Sequence, residues 1–349
     1  MATSLTALII NGVLEDADLN DASLAGTKFA GLRFLNVKLR GADLSGADFS
    51  GAQLENCDLT NAILEGANFS GATLKSCTLL QANLRKAVMP TATFLGADLG
   101  QANLHEADVS SALFDGCRLD AAELADADLN CTRINGSSLN GTQFHGAKLN
   151  RFMVMESDLS TVVFGNNDMT QAMLMDTTLA GQRFPGCNLT LALFIDADLQ
   201  GADFSGMSLS QTQFSFANMK GARLAGLTAN QVSFAAADLT AADLSNSSFE
   251  VCDFSHAKLH QVNATGTRWH ATPMVKVAAT RSVWDGARLE FCDLSHASLD
   301  DASFRNGSVN VCVLHKMSEE KVVWDGTDFN DTFRNDPIRE RAENWQSPV

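Results

Sequence analysis

Tyrosine is absent from all 349 residues, although phenylalanine occurs 21 times. An interior built on Phe without Tyr is narrow and dry, because a buried phenol hydroxyl needs a hydrogen-bond partner. No stretch approaches the roughly 18 apolar residues of a membrane span. Acidic residues outnumber basic ones, 41 to 25, and the net charge of −16 disfavours nucleic acid and anionic membrane as partners. There is no Cys-x-x-Cys pair, no zinc-ligand spacing, no glycine-rich phosphate loop and no nucleophile motif. These absences leave no catalytic group, metal site or cofactor site to nominate, so the chain reads as a non-enzyme. The opening segment, MATSLTALIINGVL, lacks a basic leader and a cleavage site. No signal peptide is expected, and the cytoplasm is the default compartment.

What is present is a period. From Leu14 to Phe329 every fifth residue is a core-type residue, giving 64 consecutive units in one register, with Glu319 as the only non-apolar centre. A strict internal repeat fixes the architecture of a whole chain. Steps of five march around a helical cylinder and leave no apolar face. In an uninterrupted strand an odd step would alternate faces. The remaining solution is a short extended side, on which the centre and the small residue two before it point inward, followed by a corner. Glycine marks the corner: 21 of 25 glycines lie two residues after a centre, as at Gly26, Gly41 and Gly326. Asn61, Asp126 and Asp196 fill the same slot. These residue types tolerate the positive φ of a tight turn.

Segments such as Ala42-Asp43-Leu44, Ala67-Asn68-Phe69, Ala97-Asp98-Leu99 and Ala202-Asp203-Phe204 resemble the A-(D/N)-L-x-x signature of the pentapeptide-repeat family. The resemblance covers about nine tenths of the chain. It implies an all-β fold, a right-handed quadrilateral parallel β-helix with four units per coil, hence about 16 coils stacked at about 4.8 Å. The expected organisation is an N-terminal cap at 1–13, in which Leu5, Leu8, Ile9 and Ile10 cover the first coil, a solenoid at 14–329, and a C-terminal cap at 330–349. Asp336-Pro337 reads as an N-cap and first-turn proline. Ile338, Ala342 and Trp345 follow at helical spacing, so a short amphipathic helix should lie over the far end. The degenerate stretches 263–283 and 315–323 keep the phase, and a bulge is expected at Glu319. Phe144, Phe164, Phe184 and Phe204 should stack in one column, and Phe194, Phe214, Phe234 and Phe254 in another.

Seven of eight cysteines occupy the small inward slot, and only Cys131 sits at a corner. Cys57 should lie over Cys77 and Cys292 over Cys312, within disulfide reach. Packing alone explains them, which favours reduced thiols. The seven histidines sit at outward or corner positions, and His105 and His145 are two coils apart, too far for one metal.

The most informative departure is apolar residues where polar ones belong. Met153, Met155, Met173, Met175, Leu193 and Ile195 flank centres on segments spaced by 20, and Leu113 continues the set past Arg133. An exposed patch of this kind marks an interface, and methionine suits adaptable ones. The leading expectation is a non-catalytic scaffold or adaptor binding a protein partner, self or foreign, with a homodimer through this face or the C-terminal cap as one form. A second expectation follows from the resemblance: some family members mimic DNA and bind type II topoisomerases such as gyrase. Asp18, Asp58, Asp98, Asp158, Asp198 and Asp238 align on one face, interrupted by Lys38, Arg118 and Lys258. The family also includes secreted bacterial effectors and secretion-system accessory proteins.

Overall fold

Each coil is built from four of the five-residue units. In the computed structural model, which describes residues 8–345, every pairing between successive coils joins a residue to its counterpart four units on, as in Phe34↔Leu54, Asp43↔Ile63 and Asp48↔Asn68. The backbone bonds run from coil to coil, for example Leu44 N–H to Ile63 C=O at 2.8 Å and Asp43 N–H to Ala22 C=O at 3.0 Å. Four sides therefore close one turn of a parallel β-solenoid. Centres and small slots are buried in it, with Leu44, Ala47, Phe49 and Ala52 all at zero exposure. Burying one such Leu or Phe contributes about 1.5–3 kcal/mol, so the repetition of centres carries the stability.

The A-(D/N)-L signature has a local cause. The Asp or Asn before each centre turns a side-chain oxygen onto the backbone N–H two residues on. Asp43 accepts from Ser45 at 3.1 Å, Asn68 from Ser70 at 3.0 Å and Asp98 from Gly100 at 2.9 Å. This satisfies an amide that the corner would otherwise strand. Corner residues adopt positive φ at nearly every position, as at Gly26 (65°), Asn61 (58°) and Asp126 (57°).

The chain divides into two units, the first comprising residues up to Thr178 with Phe184–Leu189, the second Leu179–Arg183 and the chain from Thr190. In the first, β1 (Ile9–Ile10) pairs antiparallel with β2 (Val13–Glu15), and parallel strands follow once per coil from β3 (Arg33–Leu35) to β10 (Met173–Leu174). In the second, seven parallel strands run from β11 (Ser208–Ser210) to β17 (Asp328–Asn330). Nine coils in the first and seven in the second thus carry a regular strand, together 16. In most coils three corners are closed by a bond such as Ala22 N–H to Leu19 C=O. The corner after each of β2 to β9 and β11 to β17 is an open bend, whereas the one after β10 is a closed turn.

Within each unit the columns are as the period requires. Phe144, Phe164 and Phe184 stack with centroids 5.9 and 5.6 Å apart. Phe204 belongs to the second unit, where Phe194, Phe214, Phe234 and Phe254 stack at 5.2, 5.2 and 4.6 Å. In 263–283 the register holds: Ala264, Trp269, Met274 and Ala279 are all buried. Buried Trp269 donates its indole N–H to Thr267 Oγ1 at 2.8 Å, and buried Trp284 donates to Ser282 Oγ at 2.7 Å. At these two Trp centres the small slot before the ring carries a hydroxyl that takes the indole N–H; at Trp324 the slot is Val322 and the indole N–H goes to Glu319 instead. All eight cysteines are free thiols, six buried, Cys187 half-buried and Cys131 exposed.

The ends depart from expectation. Ile10 is exposed rather than folded over the first coil, because β1 turns back on β2 as an edge strand; Leu8 and Ile9 are half-buried, and Leu5 lies outside the described residues. Helix α1 (Pro337–Glu343) forms, with Asp336 as N-cap accepting from Ile338 and Arg339 N–H. Its apolar residues do not face the coils: Ile338 is 79% and Trp345 69% exposed, and Ala342 is exposed. The helix instead docks through charged side chains. It lies over His315, which is wholly buried and not outward as its repeat position indicates. No bulge forms at Glu319. The pairing Ser298↔Ser318 continues the register, and the half-buried carboxylate takes the Trp324 indole N–H at 3.2 Å and pairs with Arg334.

Candidate functional site

Outward positions on the strand-bearing side of the first unit form two columns. One reads Val13, Arg33, Gln53, Thr73, Thr93, Leu113, Arg133, Met153 and Met173 in register. It is mostly polar until its last two members, and Leu113 is separated from them by Arg133. The other column runs through Leu95, Asp115, Asn135 and Met155, and Met175 follows β10. The buried side-chain amide oxygen of Asn135 has no hydrogen-bond partner. In the second unit Leu193 pairs with Gln213, with Ile195 two residues on. All seven apolar side chains are half-buried, not fully exposed. The cause is the spacing: with coils about 4.8 Å apart, neighbours above and below cover the flanks of each side chain.

The acidic column is less acidic in space than in sequence. Lys38 sits 4.0 Å from Asp18, Arg118 3.2 Å from Asp98 and Lys258 3.5 Å from Asp238. Its aspartates also serve backbone amides: Asp58, Asp158, Asp198 and Asp238 each accept from the N–H two residues on. Elsewhere the hydroxyl of Ser45, hydrogen-bonded to Asp43, holds that carboxyl below the usual range. Recurrence of Asp is thus a turn requirement before it is a surface charge.

A cluster that the repeat did not reveal lies under α1. Glu343 accepts from Lys316 Nζ at 2.7 Å and lies 2.8 Å from His296 Nε2 and 3.5 Å from His315 Nε2. Lys316, then His296, hold its carboxyl down at about 2. Arg339 pairs with Asp293 at 2.9 Å and donates to Ser295 Oγ at 2.7 Å. The potential ligand atoms of His296, His315 and Glu343 lie within 4.8 Å of one another. The proton inventory fits a clasp better than a metal centre. His315 Nδ1 accepts from Asp336 N–H at 3.0 Å, which leaves Nε2 as the protonated nitrogen of the neutral ring; it is buried 3.5 Å from Glu343 without making a hydrogen bond. His296 and His315 occupy neighbouring slots on adjacent coils; comparing histidines at every separation close to one coil would have found them.

Five of the seven inward thiols are pushed up, whereas Cys57 and Cys312 are held down by the hydrogen bonds they share with Cys77 and Cys292. The hydrogen bond shared with Cys57, then burial, push the Cys77 thiol up, and Cys312 does the same to Cys292. Burial pushes Cys117 and Cys252 up to about 11. Among the described residues no helix is long and apolar enough to cross a membrane.

Comparisons with known proteins agree with the repeat. No curated sequence matches the chain. Among solved structures, it is similar to a trypsin-treated variant of QnrB1, a plasmid-mediated fluoroquinolone resistance protein, with 18% identity over 50% of this chain and 90% of that one and a TM-score of 0.43. It is also similar to HetL from the cyanobacterium Nostoc, a pentapeptide repeat protein involved in heterocyst differentiation regulation. That match has 19% identity over 90% of this chain and 87% of that one, with a TM-score of 0.21. A third is Rfr23 from the cyanobacterium Cyanothece, with 24% identity over 37% and 95% and a TM-score of 0.17. The family model for the pentapeptide repeat region matches residues 67–144. The model for pentapeptide repeats in eight copies matches 17–56, 172–211, 187–226, 233–268 and 278–308. With these matches spread over most of the sequence, the chain belongs to the pentapeptide-repeat family.

Proposed function

We propose that the protein is a non-catalytic interaction scaffold that binds a protein partner through apolar outward positions. In the first unit these are Met153, Met155, Met173 and Met175, with Leu113 beyond Arg133. Leu193 and Ile195 hold the same repeat positions in the second unit. The observation that supports this reading is the register of Met153 with Met173, in a column whose earlier members are mostly polar. Half-buried methionines present a deformable apolar surface without disturbing the core. Replacing Met153 and Met173 with Asp tests the reading. The fold should persist, since neither side chain fills the interior, while partner capture from the host and any self-association should fall. Unchanged capture and unchanged light scattering would refute it.

The acidic alternative, a DNA mimic acting on a type II topoisomerase, has the weaker support, because three basic residues neutralise the column at Asp18, Asp98 and Asp238. Inhibition of gyrase supercoiling by the wild-type chain, undiminished by the methionine substitutions, would reverse that ranking. A cytoplasmic location and a homodimer through either the apolar face or the C-terminal helix belong to the same proposal.

A further inference from the structure

The strand-bearing side of the second unit carries a different pattern. Arg268 of β14 (Arg268–His270) stands in register with Arg288 of β15 (Arg288–Glu290). Like charges directly opposite across strands are unfavourable. Among the described residues neither has a carboxylate oxygen within ion-pair distance, although most other basic residues of this acidic chain do. The nearby acids are engaged elsewhere: His270 lies 3.8 Å from Glu250 and 3.4 Å from Glu290. A shallow open hollow lies over these strands, lined by Ser248, Glu250, Arg268, His270, Arg288 and Glu290.

The adjoining corner is the open one, and its residues are the reverse of what its backbone asks for. In the first unit the open corners as far as Gly136 hold Asp16, Asn36, Asn56, Gly96, Gly116 and Gly136, with Ser76 among them, all at positive φ and mostly suited to it. In the second unit the same kind of corner holds Val251 (φ 53°), Ala271 (47°), Phe291 (54°) and Val311 (49°). A β-branched or bulky residue in this region is strained. Val251, Phe291 and Val311 are also 48%, 52% and 39% exposed. The Phe291 ring meets His270 edge-on, with centroids 5.3 Å apart. An apolar ridge thus borders a pair of uncompensated arginines, and both features carry a cost that neither packing nor turn geometry returns. Strain held at the surface without structural return is characteristic of binding sites.

We infer that this strip docks an extended acidic peptide segment bearing one large apolar side chain. Its carboxylates would lie over Arg268 and Arg288, and its apolar group against Val251, Phe291 and Val311. The two guanidiniums without carboxylate partners suit two discrete, spaced carboxylates, whereas the unbroken phosphate row of a nucleic acid would also have to pass Glu250 and Glu290 in the same hollow. Size favours the peptide over a second copy of the chain. From Arg288 to Phe291 is about 10 Å, and from the coil of Val251 to that of Val311 about 14 Å. The strip therefore offers ~140 Å², far short of the ~800 Å² per partner of a stable interface. It is a separate surface from the methionine face, and its test does not depend on that face.

The probe is a set of short fluorescein-labelled peptides carrying two Asp and one Phe separated by two to four residues. Controls replace Asp by Asn or Phe by Ala. Anisotropy is read against the full chain at low salt. Saturable binding is expected for the Asp/Phe peptides, weakened at least about tenfold in either control, in the Arg268→Glu/Arg288→Glu variant and in Phe291→Ser, and unchanged in Met153→Asp. These side chains are exposed, so the variants should retain the wild-type urea transition, which is checked first. Binding that fails to saturate by ~1 mM, or that is indifferent to both variants, overturns the inference. So does a single-stranded oligonucleotide held by the same arginines. A dimer that dissociates in the arginine variant overturns it in favour of a second copy.

Discussion

Thr267 is wholly buried one small slot before Trp269, and it accepts the indole N–H at 2.8 Å while donating to Ala264 C=O at 2.7 Å. Replacing it with Val keeps the shape and removes both bonds. A buried N–H left without a partner costs about 1–3 kcal/mol. All four tryptophans, Trp269, Trp284, Trp324 and Trp345, lie in the second unit, and the chain has no tyrosine. Tryptophan fluorescence in urea therefore reports on that unit alone, which avoids treating a long repeat array as one cooperative transition. At a slope of about 3 kcal/mol/M, a loss of ~2 kcal/mol lowers the midpoint by roughly 0.7 M. The cycle is closed with Trp269→Phe, which removes the donor. In that background Thr267→Val should be nearly neutral, and the difference is the coupling of the pair. A penalty below about 0.5 kcal/mol, or an equal penalty with Phe at 269, would refute the claim that Thr267 is there to satisfy the Trp269 indole N–H.

Two further outcomes follow from the same geometry. In native reduced protein Cys131 should alkylate quickly, half-buried Cys187 more slowly, and the six buried thiols only after denaturation; fast labelling that survives Cys131→Ser would contradict the inward assignment. The Glu343 carboxyl is depressed to about 2 by Lys316 and His296, so its contribution to docking α1 is complete above the unfolded pKa of about 4.5 and is lost as pH falls through about 2. Glu343→Gln should release the helix at neutral pH, read as faster proteolysis at Arg339 and Arg341, and unchanged cleavage would show that Arg339 and Asp293 hold it alone.

The period made most of the interior legible. The run from Leu14 to Phe329 determines which residues face inward, which stack, and where the corners fall, because one five-residue rule repeats without slip. Three things escaped it. Which corner of each coil is open depends on whether the N–H after the centre bonds back, as after Leu19 but not after Phe34, and no residue type dictates this. His315 occupies an outward slot, yet α1 folds over it and buries it. The spacing of Ile338, Ala342 and Trp345 predicts a short amphipathic helix over the far end without its docking face, and it is Arg339 and Glu343 that find Asp293, His296 and Lys316. Spacing shows that a helix is two-faced; it does not say which face meets a surface already lined with charge.

A solenoid of this kind has no cleft to mark a site, and every outward position is repeated in the next coil. Departure from the column is the legible signal. Asp43, Asp48 and Asp98 are uninformative as surface groups, since each satisfies a backbone amide that any coil must satisfy. Met153 and Met173 carry information, because the positions before them in the column are filled by Arg, Gln and Thr without loss to the fold. Val251 and Val311 carry more. There the alternatives are not merely tolerated but preferred: a left-handed conformation costs an L-residue about 1–2 kcal/mol, and the first unit places Asn, Asp or Gly at most of its open corners. Half-buried methionine follows the physics of its position, and left-handed valine opposes it. The corner of Val251, Phe291 and Val311 is therefore a place where the sequence departs, over successive coils, from what folding alone requires.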